Sequence, residues 1–321
     1  MGKKLPVKNK KTLPVKSKPA LPPKPASSPQ PTSIPKNTTL HQKQITEQRK
    51  PVTEAVQRAK LPRKPAALSG RQYIKTGIEG FDALIEKGIP KGASILVAGG
   101  AGSGKTIFCL QICNYHAVRG KKCLYMSFEE NEEKLKEHMV DFGWNAAELE
   151  KKGLLIIQRL NPFDVTRAVD AWTKKLKGEL LIKTKPILLP EGFNPDIVIV
   201  DSLTAIASAF SKKEESYRIY IEQLFRFFEG LKSTSFLITE TDQIPTVYSP
   251  TGVEEFLADG VIVIYNIISG SVRENAIEIL KIRGAKHQKK IVALQKIDGK
   301  GIEVYPEQEV FADIAKKEKV G

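Results

Sequence analysis

The stretch VAGGAGSGKTIF, Val97 to Phe108, decides how the rest of the chain is read. Gly99, Gly100, Gly102 and Gly104 crowd in front of Lys105, after the apolar run ASIL and before the amphipathic run CLQICNY. A turn so rich in glycine lets something come very close to the backbone. The eight residues Gly99, Gly100, Ala101, Gly102, Ser103, Gly104, Lys105 and Thr106 fit G-x-x-x-x-G-K-[ST], the Walker A phosphate loop. In that pattern consecutive N–H groups turn inward around phosphate oxygens, and the following helix adds its positive end. Lys105 is then placed to reach the β- and γ-phosphates, and Thr106 to ligate Mg²⁺. The reading requires a strand before the loop and a helix after it, and predicts a nucleoside triphosphate as the ligand.

Outward from the loop, apolar runs alternate with helical patterns. Strands are expected at 93–99, 122–128, 153–158, 196–201, 234–239 and 260–265. Several are apolar throughout, as strands covered on both faces are. Helices are expected at 104–118, 131–142, 165–176 and 215–232. This alternation predicts an α/β fold of the P-loop type with a mostly parallel, doubly wound sheet. The segments 275–284 and 289–306 instead read as consecutive strands, with a turn at Asp298-Gly299, so a C-terminal antiparallel extension is expected.

The carboxyl ends of parallel strands converge on the phosphate site. Asp201 ends the run PDIVIVD and is a candidate to hold the Mg²⁺ water shell; its other reading is a helix N-cap. Glu129 and Glu130 follow the strand LYMSF. Two carboxylates at a strand end can bracket a water, one as base and one in support. Their other reading is the acidic first turn of a helix. Cys109, Cys113 and His116 share a helix face, which is either a core stripe or a metal site.

The charge of the chain is uneven. Of 321 residues, the first 70 hold sixteen Lys or Arg, two Glu and twelve of the twenty prolines, a net of +14. The rest holds 35 basic and 34 acidic groups, so the whole chain's +15 describes a tail. That Lys/Pro-rich segment offers little to bury and is expected to be disordered. Without Phe, Tyr or Trp it cannot stack on bases, so any polyanion contact through residues 1–70 is expected to be weak and nonspecific. Residues 71–310 are expected to form one domain and 311–321 a charged C-terminal tail. No apolar run approaches the length of a transmembrane segment, and no apolar segment of a signal peptide follows the early lysines. Three cysteines without a framework suit a reducing, cytoplasmic setting.

Taken together the motifs resemble the KaiC family of the RecA-like ATPases. The resemblance runs from Thr76 to Pro306 through TGIEGFDALIEKGIPKGASILVAGGAGSGKT, LYMSFEE, PDIVIVDSLTA, LITETDQ, GVEEFLADGVIVI and LKIRGAKH, in that order. It implies ATP and Mg²⁺ as cofactors and a homo-oligomer, a hexameric ring in form, with ATP between neighbours. It implies that Glu129 and Glu130 are the paired catalytic glutamates. It also implies that Lys281 and Arg283, with Gly284 and then His287, reach a neighbour's γ-phosphate. By itself KIRGAKHQKK also reads as a basic edge strand and turn. The chain departs from the pattern in several places. Lys87-Gly88 stands where paired glycines are common, one domain stands where the clock protein has two, and 178–194 is longer than usual. Glu255-Phe256 stands where a phosphorylated Ser-Thr pair is expected.

The function these residues predict is an oligomeric, Mg-dependent ATPase that regulates or signals to an unknown protein partner. The alternatives are an ATP-sensing scaffold that does not hydrolyse, and a RecA-type DNA-binding recombination or repair ATPase. The near-neutral core weighs against a strand-binding groove.

Overall fold

The computed structural model describes residues 70–167, 169, 189–210, 213–269 and 272–310. The basic tail, the predicted helix beyond Arg167, most of the long 178–194 segment and the 311–321 tail lie outside the described residues.

The sequence periodicities fold as the loop motif requires. Strand β3 (Ser94–Gly99) is buried at every position and runs into α1 (Lys105–Ala117) through the glycine turn. The other central strands are β4 (Cys123–Ser127), β5 (Leu155–Arg159), β6 (Ile197–Asp201), β7 (Thr234–Glu240) and β8 (Gly260–Ser269). The C-terminal strands β9 (Val272–Ile282), β10 (Val292–Ile297) and β11 (Gly301–Glu309) complete a nine-stranded sheet. Its order is β11-β10-β9-β8-β3-β7-β6-β4-β5. From β8 through β3 to β5 the neighbours are parallel; β9, β10 and β11 continue antiparallel. The expected architecture, a parallel sheet with an antiparallel extension, is the one observed.

Two apolar layers cover the sheet. One packs α1, α2 (Glu132–Asp141) and α3 (Ala146–Lys151) over Ile95, Val97, Tyr125 and Ile199. The other packs α4 (Leu203–Ala209) and α5 (Glu214–Leu231) over Leu96, Leu124, Val198 and Leu237. Alternate residues of one strand thus feed opposite cores, which is why β3 and β6 read as continuous apolar runs. In α5 the buried residues Tyr217, Tyr220, Ile221, Leu224, Phe225 and Phe228 recur at 3.6-residue spacing. A short 3-10 helix (Phe81–Leu84) sits between β1 (Tyr73–Ile74) and β2 (Ile89–Pro90), which pair as a separate two-stranded sheet. Helix α6 (Val253–Leu257) leads into β8.

Register fixes which residues meet at the carboxyl edge. Gly99 lies beside Glu240 on β7 and Ile264 on β8, and Ser127 on β4 lies beside Asp201 on β6. The phosphate loop, Asp201 and the residues after β4 therefore share one edge. At the other edge Ile95 pairs with Gly260, and Gly260 with Ile282.

Candidate nucleotide site

Glycine is required where the loop is tightest. A Cβ on Gly99 would stand 2.3 Å from the carbonyl oxygen of Ile264, and one on Gly100 would stand 2.7 Å from Gln243 Oε1. Gly102 and Gly104 have φ of 74° and 104°, in the region that L side chains resist. Gly104 is the N-cap of α1, so the first N–H groups of that helix, which have no intrahelical acceptor, open onto the loop.

Side chains from separate elements hold the loop by its carbonyls. Lys105 Nζ donates to Gly100 O at 3.0 Å. Gln243 Nε2 and Asn266 Nδ2 donate to Ala101 O at 3.3 and 3.4 Å, and Lys296 Nζ donates to Gly102 O at 3.0 Å. With its acceptors engaged, the loop offers donors to an incoming anion. Ser103 Oγ is buried and finds no partner among the described residues.

Beside the loop, Thr106 Oγ1 donates to Asp201 Oδ2 at 3.1 Å. The helix that follows is capped by Ser202, whose hydroxyl accepts from Ala205 N, so Asp201 is free of the N-cap role. Burial pushes the Asp201 carboxyl up to about 6, opposed by hydrogen bonds from Tyr125 and Thr106. Lys105 is pulled down by burial, while the carboxylates of Glu240, Asp201 and Glu129 hold it up.

The two glutamates face different partners. Glu129 accepts a short hydrogen bond from Ser202 Oγ, next to Asp201. Glu130 Oε2 is ion-paired with Lys134 at 3.0 Å and lies 3.2 Å from His138 Nε2, both on α2. Neither belongs to the first turn of α2, which begins at Glu132 behind the N-cap Asn131.

The basic block lies elsewhere. Lys281 Nζ donates to Glu255 O, and Arg283 Nη2 donates to Phe256 O at 2.7 Å. Arg283 also faces Asp259 at 3.9 Å. Strand β10 pairs with β9 only over Asn275–Ile277, so the Lys281 end of β9 is hydrogen-bonded to β8 alone and matches the edge-strand reading locally. The turn after it is pinned by Glu86 N to Lys286 O and Gln288 N to Leu84 O, and it holds His287, whose two ring nitrogens are buried without partners among the described residues. Glu255 receives Tyr248 N–H at 2.6 Å, and Phe256 is 77% exposed. Cys109 and Cys113 are core residues on α1, and His116 Nε2 lies 2.9 Å from Lys75 O. Among the described residues no His, Cys, Asp or Glu cluster is arranged to hold a metal on its own. None of the described helices is long and apolar enough to cross a membrane.

Comparison with known proteins agrees with this geometry. The model of the KaiC ATPase family matches residues 74–309. The chain belongs to the KaiC family of ATPases. A circadian clock protein KaiC3 from Synechocystis is 33% identical over 240 residues, covering 74% of this chain and 46% of that protein. The circadian clock oscillator protein KaiC of Picosynechococcus is 28% identical, covering 75% and 46%. The chain thus spans about half the length of the curated relatives it matches. The crystal structure of a KaiC-like protein from Pyrococcus horikoshii is 30% identical, with a TM-score of 0.60, and covers 74% of this chain and 100% of that one.

Within this KaiC-type ATPase fold, the residues present fit a nucleotide with Mg²⁺. The fit is seen in the unpartnered Ser103 hydroxyl, the desolvated Lys105 amid three carboxylates, and the Thr106–Asp201 contact. Sequence reading missed Tyr125, Ser202, Glu240, Gln243, Asn266 and Lys296. Glu240 and Gln243 were findable, because they stand at the end of β7 where strand ends converge. Tyr125 and Lys296 carry no signal, being single residues inside strands.

Proposed function

We propose that this chain binds Mg·ATP and hydrolyses it at contacts between copies of itself, and that the bound nucleotide's state is read by a protein partner. The carrying observation is the separation of Lys281 and Arg283 from their own phosphate loop. They sit at the Ile95 end of β3, and the loop follows Gly99, four residues and about 13 Å along the strand. They also point to the carbonyls of Glu255 and Phe256 rather than toward the loop. A role for them in phosphoryl transfer therefore calls for a second copy.

In this reading the loop N–H groups, Lys105 and the start of α1 hold the phosphates. Thr106 and Asp201 would hold Mg²⁺, which would supply positive charge against that of the phosphates. Glu129, kept in place by Ser202, takes a proton from the attacking water as its oxygen bonds to the γ-phosphorus. The bond to the ADP oxygen breaks, and the products are ADP and phosphate. Glu130, tied to α2, positions rather than accepts the proton. Arg283 and Lys281 of a neighbouring copy stabilise the charge on the transferring group.

The test is phosphate release measured against protein concentration. Turnover per chain should rise as oligomers form and vanish in Lys105→Ala. Tight ATP binding without turnover at any concentration would favour the scaffold reading instead.

A further inference from the structure

Lys296 helps hold the phosphate loop by a carbonyl, but its charge has no use in the account above. It belongs to β10 of the C-terminal hairpin, yet its amino group donates to Gly102 O within the phosphate loop at 3.0 Å. Its Cε comes within 2.7 Å, and its Nζ within 3.5 Å, of where a Cβ on Gly104 would stand. Gly104 is the N-cap of α1, so this lysine crosses the start of the helix.

That is an unfavourable place for a lone cation. The first turn of a helix already carries about half a positive charge. Lys105 adds another, and after burial it is the cause that lowers the Lys296 pKa. Lys105 has Glu240, Asp201 and Glu129 in reach. Among the described residues no carboxylate pairs with Lys296. A hydrogen bond to a loop carbonyl does not require the charge, because the neutral amides of Gln243 and Asn266 do the same at Ala101. The charge has a use if an anion arrives between the two lysines and the helix start.

We propose that Lys296 is a second phosphate-binding cation of the nucleotide site, supplied by the same chain, and that it acts on the phosphates shared by ATP and ADP. The proposal rests on the nucleotide reading of the loop. Its anchor is on the helix side of the loop, Gly102 to Gly104, where backbone donors cradle the α- and β-phosphates. Lys105 rests at the opposite end on Gly100 and serves the β- and γ-phosphates.

The experiment is titration of the full chain with Mg·ATP and Mg·ADP, comparing the parent with Lys296→Gln, Lys296→Arg and Lys105→Ala. The Gln variant can keep a hydrogen bond to Gly102 O without the charge. It should weaken both nucleotides by about tenfold, and the deficit should shrink at high salt. Lys296→Arg should restore most of the affinity. The nucleotide-free Gln variant should melt at or above the parent temperature, because a repulsion has been removed. Parent-like affinity in Lys296→Gln, or a loss confined to ATP, overturns the proposal. So does a loss accompanied by lower nucleotide-free melting that Lys296→Arg does not rescue, the mark of a loop brace. Nucleotide binding that needs Lys105 but ignores Lys296 overturns this proposal alone. A parent chain that binds neither nucleotide overturns the nucleotide reading with it.

Discussion

Tyr125 donates its phenol to Asp201 Oδ2 at 2.5 Å, and Thr106 donates to the same oxygen at 3.1 Å. Both donors favour the carboxylate, yet burial wins and the Asp201 pKa stands at about 6, above its ordinary 3.8. The folded value exceeds the unfolded one. The stability linked to this group is therefore fully present below about pH 4 and is lost as pH rises through about 6.

Asp201→Asn should remove that loss in the nucleotide-free protein. With a chelator present, the variant should be the more stable one at about pH 7.5, on the order of 1–3 kcal/mol. The gap should close near pH 4. Thermal melting across pH checks the sign. A variant that melts below the parent at both pH values would show that Asp201 is a net stabiliser when ionised. In Mg·ATP the order should reverse, because the amide gives up the charge that would hold the metal's water shell.

The different partners of Glu129 and Glu130 separate their expected effects. Glu129→Gln keeps the acceptor for Ser202 Oγ and loses basicity, so ATP binding should persist while turnover falls by about 10²–10⁴. Glu130→Gln weakens the contacts to Lys134 and His138, and turnover should fall by about tenfold or less. Nucleotide affinity and steady-state phosphate release, measured together on each single variant, decide the assignment. Equal losses in the two variants would return the pair to a shared role.

Glu254 is fully buried beneath the segment that receives Lys281 and Arg283. Tyr217 donates to its Oε1 at 2.7 Å, and Thr251 Oγ1 donates to Oε2 at 2.8 Å. Glu254→Ala should cost about 2–3 kcal/mol, because the buried Tyr217 hydroxyl loses its acceptor while the exposed Thr251 can turn to water. Glu254→Gln should cost less, about 1–2 kcal/mol, since one oxygen remains and one donor meets another donor. Urea unfolding curves with unchanged slopes would check both values.

Much of this fold was legible because parallel strands buried on both faces are apolar without interruption. The runs at 94–99, 197–201 and 234–240 could hardly be anything else between helical patterns. The short pieces were not legible. Strands β1 and β2 have two residues each, and α4 and α6 have seven and five, too few for a period to repeat. The loop and Asp201 were legible because strand–glycine–helix order and a strand-ending carboxylate impose their own geometry. The carbonyl contacts of Asn266 and Lys296 were not, since they depend on which strands lie beside β3. That neighbour relation is a property of the sheet order, with β8 adjacent to β3 and the hairpin folded back over α1.

The assignment of Lys281 and Arg283 to a neighbour's site leads to the sharpest expectation. Arg283→Ala should bind ATP and hydrolyse it slowly, since an arginine supplied across an interface is worth ~10³–10⁵ in turnover. Glu129→Gln should bind ATP and fail for a different reason, the loss of the base. In a mixture, some contacts pair an intact Glu129 from one chain with an intact Arg283 from the other. Those contacts should recover activity that neither variant shows alone, at a maximum near equal proportions. If both groups served one chain's own site, each chain would carry one defect and no ratio would recover turnover. The separation along β3 argues against that arrangement, because the Ile282 end of β9 lies beside Gly260 and the loop follows the opposite end of β3. Size measurements on differently tagged chains must show that mixed oligomers form. With mixed oligomers present, absence of recovery at every ratio would remove the role in trans and leave Lys281 and Arg283 as local ties to the carbonyls of Glu255 and Phe256.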